Sequence, residues 1–395
     1  MPKVDLSAYE GREQAYVKHC LLEEYLPPWA YRVGAKWDSL VYVDGFAGPW
    51  QTKHPDNLDS SFGVAFDALH QCRIGLHEKW GRDLRVEAIL VEKDRTAFAH
   101  LEEFAARKRS PTFGVHVICG EFADQVPAIN KLIASSSANP FRFVFLDPKG
   151  WADIPMVKMQ PLLQDRSCEV LINLMTRDII RFLDEADRAE SYRALFGRPE
   201  VLEALRNAPR GNNERAEQAV REYCRSLTLL CGFKYVSSAV ILRPDEETVR
   251  YFLVYATNHP RGVEVFKAAE MKAARIQDDV RHEAYVRKTG QPLLAFDGGP
   301  PKSRLTLQLR NRYLTRARNK VIEVLAGKSP SGSVPYADLF CEAMAFPLVT
   351  PDDLESWLRA LEPGIEIRLA GSSRRRKPSP SEKDSVLVRK PDSLR

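Results

Sequence analysis

The sequence predicts an α/β fold: a doubly wound, largely parallel sheet with a late antiparallel hairpin, followed by a small C-terminal winged helix-turn-helix. Three observations predict it. Between residues 40 and 175, near-continuous apolar runs of strand length alternate with segments of helical periodicity. That is the pattern of βαβ units whose strands are buried on both faces. The stretch FKYVSSAVILRPDEETVRYFLVYAT, 233–257, then holds two strands around a polar turn, which reads as a hairpin. Beyond residue 308, three helical segments precede two short apolar strands astride a basic stretch.

Taken in order, residues 8–33 read as a helix with His19, Leu21, Leu22, Tyr25, Leu26 and Trp29 on its apolar face. Pro27 and Pro28 predict a kink or an end to it. Strands are expected at 40–43, 86–94, 114–122, 141–151 and 168–175, with helices at 62–80, 95–109 and 123–137 and a short one after Pro155. A polar loop, 51–61, follows the first strand, and a charged helical insertion occupies about 176–230. Residues 258–285 form another charged helix. Gly298, Gly299, Pro300 and Pro301 mark a linker, 291–307, between a first domain, 1–290, and a C-terminal domain, 308–395. In the latter, helices are expected at 308–326, 336–345 and 350–362, the last capped by Thr350 with Pro351 in its first turn and Asp353 at the capping-box position. The strands 364–371 and 386–390 would pair as the wing; the alternative is a disordered tail after Gly371.

At 395 residues the chain has room for two or three domains of roughly 100–200 residues each. No apolar run reaches the ~18 residues of a membrane span, and the N-terminus lacks the apolar core of a signal peptide. The seven cysteines are scattered without a Cys-x-x-Cys pair. They read as reduced and mostly buried in a cytoplasmic protein, with no metal site expected. Net charge is +5, but residues 300–395 carry 18 Lys/Arg against 11 Asp/Glu. A basic C-terminal third on a near-neutral body points to nucleic acid as a partner, or to no more than a soluble basic tail.

The chemistry concentrates at strand ends. VYVDGFAGPW, 41–50, runs from a buried strand into a turn: Asp44, then Gly45, Phe46, Ala47 and Gly48. Ligands of open α/β sheets bind beyond the carboxyl ends of the strands, where glycines let the backbone approach closely. The Asp-x-x-x-Gly spacing resembles motif I of the class I S-adenosylmethionine methyltransferases. On that resemblance Asp44 to Gly48 form the turn under the methionine part of the cofactor. Glu92, with Lys93 beside it, accepts from the ribose hydroxyls. Glu121, after Gly120, meets the adenine amino group, and Phe122 lies against its ring. Asp147 and Pro148 face the transferred methyl group. Asn173, inside the fifth strand, is either a satisfied core amide or a site residue.

DPKGW, 147–151, is comparable with the Asp-Pro-Pro-Tyr-like motif of amino methyltransferases, in which acid and carbonyl accept hydrogens from an exocyclic amine and an aromatic ring stacks on the extruded base. Lys149 and Gly150 replace the second proline and the aromatic residue, and Trp151 comes one place late. Trp151 is therefore either that stacking ring or a core tryptophan. Pro49 and Trp50 stand where many methyltransferases have a further glycine. The segments YLPPWA, YVDGFAGP, VEKD, GEF, FLDPKGWADIPM, CEVLINLM and YFLVYATNHPRGVEVFKAAEMK, over about residues 15–275, resemble the three-Cys-motif partner proteins. That resemblance implies a methyltransferase-like domain, often with a winged-helix module, encoded beside a three-Cys-motif protein in bacterial and phage settings. It implies either methyl transfer to nucleic acid or a non-catalytic module that docks its partner and DNA.

Arg374, Arg375, Arg376 and Lys377 suit a wing that contacts phosphates, which would position the protein without reading sequence. The helix at 350–362 would then read the bases, but Asp352, Asp353 and Glu355 on it repel phosphate, so the module could equally bind protein.

Overall fold

The computed structural model describes residues 4–48, 52–54, 57–136, 139–209, 212–290, 304–327, 332–370 and 377–389. After a short 3-10 turn, helix α1 spans Glu13–Gly34 and leads into strand β1, Ser39–Asp44. Then follow α2 (Ser61–Trp80), β2 (Arg85–Glu92), α3 (Arg95–Lys108), β3 (Phe113–Cys119), α4 (Phe122–Ser136), β4 (Phe141–Leu146), α5 (Met156–Leu163) and β5 (Cys168–Leu174). Four helices fill the charged insertion: α6 (Thr176–Arg181), α7 (Ala189–Phe196), α8 (Val201–Arg206) and α9 (Asn212–Cys231). The hairpin is β6 (Tyr235–Leu242) with β7 (Val249–Thr257), and α10 (Pro260–Thr289) closes this part of the chain.

The seven strands form one Rossmann-like sheet in the order β3-β2-β1-β4-β5-β7-β6. Strands β1 to β5 pair parallel, while β7 runs antiparallel to both β5 and β6. Every residue of β1 and β5 is buried, which is why those strands read as unbroken apolar runs rather than alternating ones. Crossovers leave β1 leftward and β4 rightward. Right-handed connections therefore place α2 and α3 on one face and α4 and α5 on the other. Helix α1 packs on α2 and on α10.

Of the two outcomes expected at Pro27 and Pro28, an end does not occur, for helix α1 continues through them to Gly34. Each proline in a helix interior costs about 3 kcal/mol. Tyr25, Leu26, Trp29 and Ala30, around the two prolines, are all buried. At roughly 1.5–3 kcal/mol for each large side chain buried, packing outweighs the local penalty.

The C-terminal part consists of α11 (Arg304–Ala326), β8 (Ser333–Pro335), α12 (Tyr336–Met344), α13 (Pro351–Ala360), β9 (Ile365–Arg368) and β10 (Ser385–Val388). Thr350 caps α13, with reciprocal bonds to Asp353, as its sequence requires. The expected strands β9 and β10 pair antiparallel, and β8 adds to the other edge of β10. That third strand escapes sequence reading because it is three residues long, with only Val334 buried. Helix α11 begins four residues before the expected 308, so 304–307 belong to a helix, while 291–303 lie outside the described residues.

This part is bonded to the sheet layer. The buried pair Lys267–Glu270 of α10, 2.9 Å apart, holds the backbone of 346–348: Lys267 donates to the Phe346 carbonyl (2.6 Å), and Glu270 accepts from the Leu348 N–H (2.8 Å). Ser237 of β6 donates to the Met344 carbonyl. Glu217 of α9 pairs with Arg312 and Arg316 of α11. Among the described residues, no helix is long and apolar enough to cross a membrane.

Candidate functional site

Because β1 to β5 are parallel, their carboxyl ends share one edge of the sheet. Strand order reverses between β1 and β4, and in such sheets the crevice at that reversal is the ligand position. Asp44 stands there, level with Leu90 of β2 and Phe145 of β4. The turn that follows is clamped on both sides: Gly45 N–H donates to the Phe145 carbonyl and Ala47 N–H to that of Val91, each at 3.0 Å. Two of its glycines are closely approached by side chains. A Cβ on Gly45 would lie 2.6 Å from Leu146 and 2.8 Å from the Phe122 ring, and one on Gly48 would lie 2.3 Å from Glu92 Oε2.

The Asp44 side chain is fully buried beneath this turn. Its Oδ2 accepts from Ser61 Oγ (2.7 Å) and Tyr42 Oη (3.1 Å), and its Oδ1 accepts from Phe46 N–H (3.1 Å). Burial pushes its carboxyl up to about 6 despite these bonds, and the charge of Asp147 adds to the rise. Ser61 is the first residue of α2. The loop before it is folded on Asp59, which accepts from the N–H groups of Lys53 and His54. Pro49 and Trp50 lie outside the described residues.

Glu92, at the end of β2, is nearly buried. Its Oε1 accepts from Asp94 N–H at 2.8 Å, while Oε2 faces Gly48. Beyond β3, Gly120 N–H donates to the Glu92 carbonyl, so these two strand ends are joined. Glu121 is exposed and paired with Lys93 at 3.3 Å. Phe122 is buried and packs on Phe46 with ring centres 5.6 Å apart, so it covers the back of the turn.

At the end of β4, Asp147 is gripped from two elements. Asn173 Nδ2, from β5, donates to its Oδ1 at 2.7 Å, and Lys18, from α1, pairs with its Oδ2. Burial favours the neutral acid, but Lys18 and the Asn173 bond outweigh it and hold the carboxyl below its usual range. Asn173 is buried, and its Oδ1 has no partner among the described residues. Beside Lys18, His19 accepts from or donates to Tyr9 Oη at 2.9 Å; burial and the Lys18 charge push it down to about 3, so it is neutral. Pro148 is buried. Trp151 is buried too, with its ring 4.7 Å from that of Tyr192, which is the core alternative of its two readings.

Sequence reasoning missed Lys18, Tyr42 and Ser61. A signal for the first existed. Lys18 falls on the helical stripe Lys18, Leu21, Leu22, Tyr25, whose other members are wholly buried. A lysine at a core position requires an anion near it.

Only Lys377 of the expected basic wing falls within the described residues. Arg374, Arg375 and Arg376 are outside the described residues. Lys377 is engaged by Asp352 (3.2 Å) and Glu355 (2.8 Å) of α13, so the acidic helix neutralises it. No protein-family model matches the chain, and no curated protein matches its sequence.

Proposed function

We propose that this chain is an S-adenosylmethionine-dependent methyltransferase acting on nucleic acid, with a base amine as the acceptor. The observation that carries the reading is the gathering of Asp44, Glu92 and Asp147 along one carboxyl rim, at the reversal point of a sheet that ends in an antiparallel hairpin. A doubly wound sheet with such a hairpin is the pattern of the class I methyltransferases that the strand-end motifs resemble. The donor set suits the cofactor. Glu92 closes β2 with its Oε2 against Gly48, glycine backbone lines the turn, and the negative charges of Asp44 and Asp147 favour a cationic sulfonium at this edge. When bound, the cofactor supplies an electrophilic methyl group. Asp147, kept ionised by Lys18, accepts a hydrogen from the acceptor amine and so aims its lone pair. The C-terminal helices with the β8-β10-β9 sheet are read as a winged-helix module.

Calorimetry tests the cofactor, and labelled methyl transfer to DNA or RNA tests the reaction. Binding of S-adenosylhomocysteine that is lost in Glu92→Ala, with transfer lost in Asp147→Ala, is the expected result. Absence of cofactor binding by the intact chain rejects the reading. Two observations favour a second reading, a non-catalytic module that docks a three-Cys-motif partner and nucleic acid: both Asp147 oxygens are already engaged, and Trp151 is turned into the core. Cofactor binding without transfer to any nucleic acid would select it.

A further inference from the structure

The turn between β6 and β7, residues 243–248, lies at the same edge as the carboxyl ends of β1 to β5, because β7 enters the sheet there: Phe252 pairs with Leu174 at the end of β5. A hollow flanks this turn on each side. One, of about 410 Å3, is bounded by Arg177 and Arg181 of α6 and Arg215 of α9. The other, of about 600 Å3, is bounded by Arg243, Arg250, Arg287 and Lys288. The acids within them are fewer: Glu246 in the first, Glu13 and Asp245 in the second.

Some of these cations are committed. Arg243 pairs with Glu246, and Arg287 with Glu13 at 3.0 Å. Arg181 lies over the Phe182 ring, and Arg215 donates to the Arg206 carbonyl while its buried Nε has no partner among the described residues. Arg177, Arg250 and Lys288 have no acidic partner among the described residues. Each hollow thus holds at least one cation without an acidic partner among the described residues, Arg177 in the first and Arg250 and Lys288 in the second, and like charges gathered round one turn repel. Such crowding suits a polyanion.

Asp147 lines neither hollow, but each holds a residue close in the chain to one of its partners. The first includes Thr176, three residues beyond Asn173, which donates to Asp147. The second includes Gln14, one helical turn before Lys18, which pairs with Asp147. Tyr251 Oη donates to the Gln14 carbonyl and ties that turn of α1 to β7.

We infer that these two hollows are the banks of one phosphate track, which brings a nucleic-acid strand to the carboxyl edge with its phosphates seated in the hollows and kept off the exposed acids Asp245, Glu246 and Glu247 of the β6–β7 turn. The track itself is argued from charge and topology; only its end point rests on the methyltransferase reading. It assigns the substrate backbone to the hairpin edge, not to the C-terminal basic stretch.

The test uses the full chain and a fluorescently labelled single strand, alongside the matching duplex, with anisotropy read across a salt series. Arg177→Gln with Arg250→Gln, and separately Lys288→Gln at the exposed end of α10, are compared with the natural protein. Each phosphate contact removed lowers the slope of log affinity against log salt by about 0.7–0.9, so the double variant loses roughly 1.5 and binds several-fold more weakly. S-adenosylhomocysteine calorimetry on the same variants is expected to be unchanged. Affinity and slope equal to the natural protein's in all variants overturn the track, as does failure of the natural protein to bind either probe. Loss of nucleic-acid binding in a chain that never binds the cofactor keeps the track and rejects the methyltransferase reading.

Discussion

If the buried Asp44 carboxylate faces the cofactor's positive sulfur, binding of the two cofactor forms must separate with pH. S-adenosylmethionine carries a sulfonium charge that S-adenosylhomocysteine lacks. The Asp44 carboxyl is pushed up to about 6, whereas Asp147 is held below its usual range and stays ionised. With that value, Asp44 is ionised over protonated by about ten to one at pH 7 and the reverse at pH 5. Affinity for S-adenosylmethionine should therefore fall about tenfold over that interval, or about 1.4 kcal/mol, while that for S-adenosylhomocysteine stays flat. Asp44→Asn serves as the control. Its carbonyl still accepts from Phe46 N–H, and the hydroxyls of Ser61 and Tyr42 can rotate to accept from the amide. The sign for stability runs the opposite way. A carboxyl lifted from 3.8 to about 6 penalises the folded state above pH 6 and not below pH 3.8. Asp44→Asn should thus fold at least as well at pH 7. Titration calorimetry at pH 5, 6, 7 and 8 reads the outcome. Superimposed profiles for the two ligands, or a pH dependence that survives in Asp44→Asn, would refute the placement of the sulfonium beside Asp44.

Further outcomes follow from other contacts. Lys18→Met removes the cation that keeps Asp147 ionised. The acid limb of methyl transfer should move to higher pH, and an unmoved limb counts against Asp147 as the acceptor. Gly48→Ala sets a methyl group against the Glu92 carboxylate, the movable end of a side chain. The fold should survive with weaker cofactor binding, whereas Gly45→Ala meets Leu146 and Phe122 and should lower the melting temperature. Glu270→Ala strands the buried Lys267 and frees the Leu348 N–H. Urea unfolding should show a loss of about 3–5 kcal/mol, and Lys267→Met with Glu270→Leu should recover only part of it, since the Phe346 carbonyl and Leu348 N–H then both lose their partners.

The alternation of apolar runs and amphipathic segments determined the sheet, the hairpin and the order of elements, because burial on both faces leaves a signature in composition that no neighbour is needed to read. The acids at strand ends were legible for the same reason: a charged residue that closes an apolar run must sit at an edge. Thr350 and Asp353 announced α13 through purely local chemistry. What each acid touches was not local. Lys18 and Asp147 are 129 positions apart and meet only because α1 crosses the carboxyl edge. Packing decided the fate of Trp151, the persistence of α1 through two prolines, and the strand β8, since each depends on distant side chains that propensity does not sense. The basic banks of the β6–β7 turn belong to the same class. Their arginines come from α6, α9, the hairpin and α10, and only the antiparallel return of β7 brings these onto one edge.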